Sequence, residues 1–125
     1  EVERHGVMHE AAKLSAAKVT YPGRKQVYRS TDSAGRYAGD VIALEDEPVP
    51  PGQPLLAPVM RNGQPLAPAA PLTQAQARCR EQIAHLPAPL RELAPAVPPY
   101  PVGHSARLEK LLARVRERIA RMSLA

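Results

Sequence analysis

Fifteen prolines, most of them between Pro48 and Pro101, constrain this 125-residue chain more than any other feature. Proline fixes φ, lacks an N–H to donate and pushes the preceding residue out of the helical region, so long regular elements are excluded wherever prolines cluster. With seven glycines added, the middle of the chain reads as segments that lie against something larger. The remaining residues cannot offset this with a large core. Phe and Trp are absent, Tyr occurs four times, and much of the apolar fraction is Ala and Val, which bury little area each, whereas aromatic rings usually dominate core burial. One small domain with a thin core is the ceiling at this length.

Charge narrows the partners. Seventeen Lys and Arg against twelve Asp and Glu give a formal net charge of +5, with much of the excess as Arg near the C-terminus, which favours anionic partners. The single Cys79 cannot form an internal disulfide, and no apolar run approaches the roughly 20 residues that span a bilayer. A reduced, cytoplasmic protein without a membrane segment is expected. Glu1-Val2-Glu3-Arg4 has neither an initiator Met nor a basic-then-apolar signal pattern, which suggests a truncated or processed N-terminus.

The expected fold class is α+β: a small antiparallel sheet of hairpins, then two or three helices and an extended Pro-rich segment. Residues 1–70 form the β-rich part and 71–125 the helical part, as a single domain or a fragment of a larger enzyme. Three hairpins are expected. Val2 to Arg4 and Val7 to Met8 flank His5-Gly6; Gln26 to Arg29 and Val41 to Leu44 flank a long polar loop from Ser30 to Asp40; Leu55 to Met60 and Pro65-Leu66 flank Arg61-Asn62-Gly63. Asn-Gly between apolar runs is the strongest short hairpin signal. Pro58 cannot donate to a ladder, so its strand is expected on an edge.

Beyond residue 70 the period changes. Thr73 with Gln76 fits a capping box opening a helix to about Leu86, with Cys79, Ile83 and Leu86 on one apolar face and Cys79 as a small core residue. Ser105 caps a second helix whose stripe is Leu108, Leu111, Leu112, Val115, Ile119 and Met122. Lys110, Arg114, Arg116, Glu117, Arg118 and Arg121 lie mostly off that stripe, on a face left to water. Pro95 to Pro101 is expected to be extended and polyproline-like.

Several of these segments recur, in this order, in one family. Lys13-Leu14-Ser15, Lys18 through Arg29, Gly39 through Glu47, Pro54-Leu55-Leu56 with Val59-Met60-Arg61, the capped helix, and Pro99-Tyr100-Pro101-Val102 before Ser105 resemble the C-terminal region of nicotinate phosphoribosyltransferases. The resemblance runs from about Glu1 to Leu112. It implies an accessory domain of an NAD-salvage enzyme that makes nicotinate mononucleotide from nicotinate and phosphoribosyl pyrophosphate, coupled to ATP. Nothing in the chain resembles the family's catalytic barrel, its phosphate-binding loops or its phosphorylated histidine, so the piece alone is expected to be inactive. No cofactor is expected on this chain; the resemblance assigns ATP and Mg to the full-length enzyme. The implied partners are the barrel, in the same chain or a separate polypeptide, and a second copy in a homodimer.

The candidate site is cationic. Lys13, Lys18, Arg24 and Lys25 surround Ser15 and the Pro22-Gly23 turn, a density of donors suited to phosphate or pyrophosphate. A solvated basic loop is the alternative. The resemblance places Lys13 and Ser15 near the mouth of the barrel and favours those two, while Arg24 and Lys25 equally suit securing the turn. His5, His9 and Glu10 have metal-like spacing, but Gly6 and the alternating pattern argue for a turn or strand that separates them. His85 near a helix end and His104 before a cap have structural explanations. No triad spacing and no glycine-rich phosphate loop occur, and no catalytic or metal-binding residue is assigned. The second functional class is a free-standing basic module whose Arg-rich final helix contacts RNA, DNA or an acidic protein. Against nucleic acid stand the absence of aromatic stacking platforms and the Glu109 and Glu117 interspersed among the cations.

Overall fold

The computed structural model of the chain describes residues 2–13, 19–48 and 50–123. Strands β1 (Val2–Arg4) and β2 (Val7–His9) form the first hairpin. His5 and Gly6 both have positive φ, 52° and 75°, the two-residue turn geometry whose twist matches that of the flanking strands. Strands β3 (Lys25–Thr31) and β4 (Tyr37–Leu44) form the second, paired from Lys25↔Leu44 through Arg29↔Asp40 to Thr31↔Tyr37. The strands are longer and the loop shorter than expected because Asp32 organises the turn. Its Oδ1 accepts from the N–H groups of Ala34 at 2.9 Å and Arg36 at 2.8 Å, the local side-chain bonding that lets Asp replace backbone partners in a tight loop. Strand β5 (Gln53–Pro54) pairs with the free edge of β3. Gly52 permits this approach: its φ is 134°, and a Cβ there would sit 2.7 Å from the Arg29 carbonyl oxygen.

The third hairpin forms where expected, between β6 (Met60–Arg61) and β7 (Gln64–Pro65), with Asn62 and Gly63 at φ 50° and 74°. Two expectations fail nearby. Leu55 to Met60 is not one edge strand, since Pro58 falls in irregular chain between β5 and β6, where it interrupts any ladder. Nor do the hairpins merge. Among the described residues, β1–β2 and β6–β7 stand as separate two-stranded sheets beside a four-stranded sheet of order β5-β3-β4-β8.

Helix α1 (Leu72–Ala84) starts at Pro71 without a side-chain cap. The Thr73/Gln76 box does not form, because Thr73 is already inside the helix and the Pro71 carbonyl accepts from Gln74 at 3.0 Å and Ala75 at 3.1 Å. None of its residues is buried, and Cys79 is exposed rather than a core residue. A 3-10 turn follows at Ala88–Arg91, and the Val97–Pro98 peptide beyond it is cis. Strand β8 (Val102–His104) then runs parallel to β4, so the four-stranded sheet is mixed rather than antiparallel. The proline-rich return sets this direction: it delivers the Pro101 carbonyl to the Asp40 N–H at 3.0 Å, and Ser105 N–H reaches the Ile42 carbonyl at 2.9 Å.

Helix α2 (Ala106–Ser123) carries the core. Ser105 Oγ accepts from Leu108 N–H at 3.1 Å, an N-cap bond that contributes about 1 kcal/mol. Leu108, Leu111, Leu112 and Val115 are buried, whereas Met122 is 73% exposed, so the stripe ends at the half-buried Ile119. Leu44, Leu108, Leu111 and Val115 form one cluster, flanked by Ala12, Tyr21, Ile42 and Ile119. The basic turn is locked onto it. Pro22 is fully buried, and Gly23, at φ 82°, lies so close that a Cβ would meet Leu44 Cδ2 at 2.8 Å and Leu111 Cδ2 at 3.0 Å.

Candidate functional site

Residues 13 and 20 close the base of the basic loop. Thr20 N–H donates to the Lys13 carbonyl at 2.9 Å and Lys13 N–H donates to Thr20 Oγ1 at 2.7 Å. Lys13 itself is exposed; Ser15 and Lys18 lie outside the described residues. Immediately after the loop, the Tyr21 ring stacks on His104 at 4.0 Å and 8°, and its hydroxyl donates to Glu109 Oε1 at 3.0 Å. The carboxylate holds the phenolic proton, and with some burial this pushes the Tyr21 pKa above its ordinary value. Loop and α2 are thus joined at a defined point.

The two cations after the turn have different surroundings. Lys25 Nζ donates to the carbonyls of Tyr21 at 2.7 Å and Gly23 at 2.6 Å, so its ammonium fastens the turn from within. Arg24 is exposed and lines an open cleft of about 440 Å³ with Arg107, Arg114, Glu10, Glu45 and Asp46. Three arginines face three carboxylates there, and Arg107 is already bound to Asp46 at 2.6 Å, so the cleft is balanced rather than cationic. Lys13 is not among its lining residues. The described cations therefore do not converge on one point: Lys13 is at the loop base, Arg24 on the cleft and Lys25 inside the turn.

A network that sequence reasoning missed centres on Asp40. Arg29 Nε and NH2 bind its two oxygens at 2.8 and 2.7 Å, and Tyr100 Oη donates to Oδ1 at 2.9 Å. The Arg29 guanidinium also lies 4.5 Å from the centre of the Tyr37 ring. Bidentate charge-assisted bonds of this kind are about twice as strong as neutral ones. They hold Asp40 below its ordinary value, and they hold Arg29 more firmly protonated; burial followed by the bond to Asp40 raises Tyr100. The signal was available: opposite charges sat at the ends of two β-prone runs, where antiparallel pairing brings them face to face. A second unread joint is Glu47, whose Oε1 accepts from Leu44 N–H at 2.7 Å and from Ser105 Oγ, tying the end of β4 to the cap of α2.

His5, His85 and His104 have structural surroundings. His5 is in the β1–β2 turn, and His85 caps α1 while its Nδ1 lies 2.8 Å from the Gly35 carbonyl oxygen. Among the described residues no group of three or more His, Cys, Asp or Glu side chains gathers as a metal site, and no helix is long and apolar enough to cross a membrane.

Residues 51–112 match the family described as the nicotinate phosphoribosyltransferase C-terminal domain. This span holds an arm of short strands and irregular chain over residues 51–71, then α1, β8 and the start of α2. The chain carries a nicotinate phosphoribosyltransferase C-terminal domain. Over 105 residues, 83% of its length, it is 44% identical to nicotinate phosphoribosyltransferase pncB2 of Mycobacterium tuberculosis, in strain CDC 1551 and in strain H37Rv alike. The fold agrees with that of human nicotinic acid phosphoribosyltransferase, known from a crystal structure, at a TM-score of 0.69 and 27% identity over 77% of this chain. The nicotinate phosphoribosyltransferase C-terminal domain described here spans 22% of the length of the curated relatives and 23% of the human chain.

Proposed function

We propose that this domain is the accessory part of an enzyme that makes nicotinate mononucleotide from nicotinate and phosphoribosyl pyrophosphate with ATP, in the cytoplasmic salvage of NAD. The observation that carries this reading is the 44% identity to a nicotinate phosphoribosyltransferase across 83% of the chain. The domain's partner is the phosphoribosyltransferase portion, in the same chain or alongside it, and the assembly is a homodimer. Magnesium and ATP belong to that portion. The described residues here do not suit them, since the carboxylates that come together share their cleft with arginines.

Within this reading Lys13, Ser15 and Lys18 present donors to the substrate's phosphates, Lys25 fastens the turn that follows their loop, and Arg24 faces the neighbouring cleft. The pinned loop base supports the assignment: the two bonds between Lys13 and Thr20 fix where the loop leaves the core, as a residue that positions substrate requires. In the full-length enzyme Lys13→Ala is expected to lower turnover or weaken phosphoribosyl pyrophosphate binding by about ten- to a hundredfold, equivalent to roughly 1.5–3 kcal/mol for a charge-assisted bond. Melting temperature should not move. Arg36→Ala, in the exposed β3–β4 loop, serves as the silent control. Steady-state kinetics at low and saturating substrate check both, and unchanged constants for Lys13→Ala reduce the loop to a solvated surface.

A further inference from the structure

Helix α1 leaves most of its apolar side uncovered. Leu72, Ala75, Cys79, Ile83 and Leu86 follow one another at three- and four-residue spacing and therefore form one row. A helix that belonged to this domain's core would turn that row toward the sheet. Instead the side nearer the β3–β4 hairpin is polar: Arg78, Glu81, Gln82 and His85 line an open cleft of about 310 Å³ opposite Thr31, Gly35, Tyr37 and Gln53. The apolar row is turned aside from that cleft: Leu72 is 73% and Ile83 48% exposed and Cys79 is exposed between them, while Ala75 and Leu86 are half-buried at its edge. The connections that hold the helix at its C-terminal end, Tyr37 N–H to the His85 carbonyl at 2.9 Å and His85 Nδ1 to Gly35, also come from the polar side. Exposure continues along the preceding arm at Leu56, Val59 and Met60.

We infer that the outer row of α1, centred on Cys79, is the surface by which this domain docks onto an apolar face of the phosphoribosyltransferase portion. The inference rests on the function proposed above. The occupant follows from length: the relatives carry more than three quarters of their chain outside the region this domain matches, so a large body is tethered beside it. A tethered partner is present at high effective concentration and covers a modest patch without strong contacts. An exposed apolar row beside a polar inner side is what such a joint leaves when seen alone. The polar inner side explains why the helix keeps its orientation before docking.

Cys79 is the chain's single cysteine and reports on the row directly. Maleimide labelling followed by peptide mass spectrometry gives its rate in the 125-residue chain and in the full-length polypeptide. The docked row predicts labelling at least about tenfold slower in the full-length protein, and restoration of fast labelling by the Leu72→Gln/Ile83→Gln double variant, whose melting temperature as the 125-residue chain stays at the parent's. Equal rates in the two forms overturn the inference. So does protection in the 125-residue chain that grows with its concentration, because a second copy would then be the occupant. Turnover of nicotinate by the full-length polypeptide is measured separately: its absence counts against the proposed function, while the Cys79 rate still reports whether the row is covered.

Discussion

The region built on β3, β4 and α2 and the region from Gly52 to Leu86 have similar numbers of apolar residues but opposite fates. In the first, four residues of α2 are buried against the end of β4, the helix is capped by Ser105, and Glu47 joins cap to strand. In the second, the large apolar side chains of the arm and of α1 remain exposed, and the strands β5, β6 and β7 are two residues long. Helix propensity does not separate them. An isolated helix of 12–15 residues is marginal in water and gains its stability from tertiary packing of one face. Packing of that kind exists within this chain for α2 and has to be supplied from outside for α1.

Truncations at matched depth along the two helices break or sharpen this comparison. The largest effect is expected at Leu108, which is 0% exposed at the centre of the cluster. Leu108→Ala should cost about 4 kcal/mol, in the upper part of the range for a buried leucine, read as a shift in denaturant midpoint with an unchanged slope.

Next is the Asp40 network. Asp40→Asn leaves the partly buried Arg29 without its counter-charge, and about 3 kcal/mol is expected, the lower end of the cost of breaking a buried pair. The network also sets an acid limit. Because the folded pKa of Asp40 lies below the ordinary value of 3.8, its contribution is fully present above that value and is lost as pH falls below it toward the folded pKa. Thermal melts from pH 6 downward should therefore show a steeper acid limb for the parent than for Asp40→Asn.

The smallest effect is expected in α1, where Ile83→Ala in the 125-residue chain should stay within about 0.5 kcal/mol, as at a surface position. A cost near that of Leu108 would erase the distinction between the two regions.

How much of this was legible depended on how local each signal was. The Asn62-Gly63 and His5-Gly6 turns, the β3–β4 pairing and the α2 stripe are written in neighbouring residues; the turns formed where the sequence placed them, the pairing formed with longer strands, and the stripe formed short of Met122. The parallel pairing of β8 was not legible, because Val102–His104 is only three residues long and its direction is set by the path of a proline-rich return. The capping box failed for a nearer reason: Pro71, already extended at ψ 147°, starts the helix ahead of Thr73. Cys79 shows what periodicity cannot say. Spacing identifies which side of a helix is apolar, not whether anything in the same chain covers it. The basic loop teaches a similar lesson, since charge density alone did not separate Lys13 from Lys25, and the sequence left open whether Lys25 binds phosphate or secures the turn. Only the fold shows that the Lys25 ammonium is engaged by the carbonyls of Tyr21 and Gly23 while Lys13 stands exposed at the pinned base of the loop.

The claim that one packed body carries an arm awaiting its cover is tested most directly by native-state hydrogen exchange on the 125-residue chain. Amides in the middle of α2, around Leu112 and Val115, should exchange only through global unfolding, whereas those of α1 should exchange through local opening at a free energy near zero. Protection of α1 equal to that of α2 would contradict the account, because it would mean that the chain by itself already stabilises the helix whose apolar row it leaves in water.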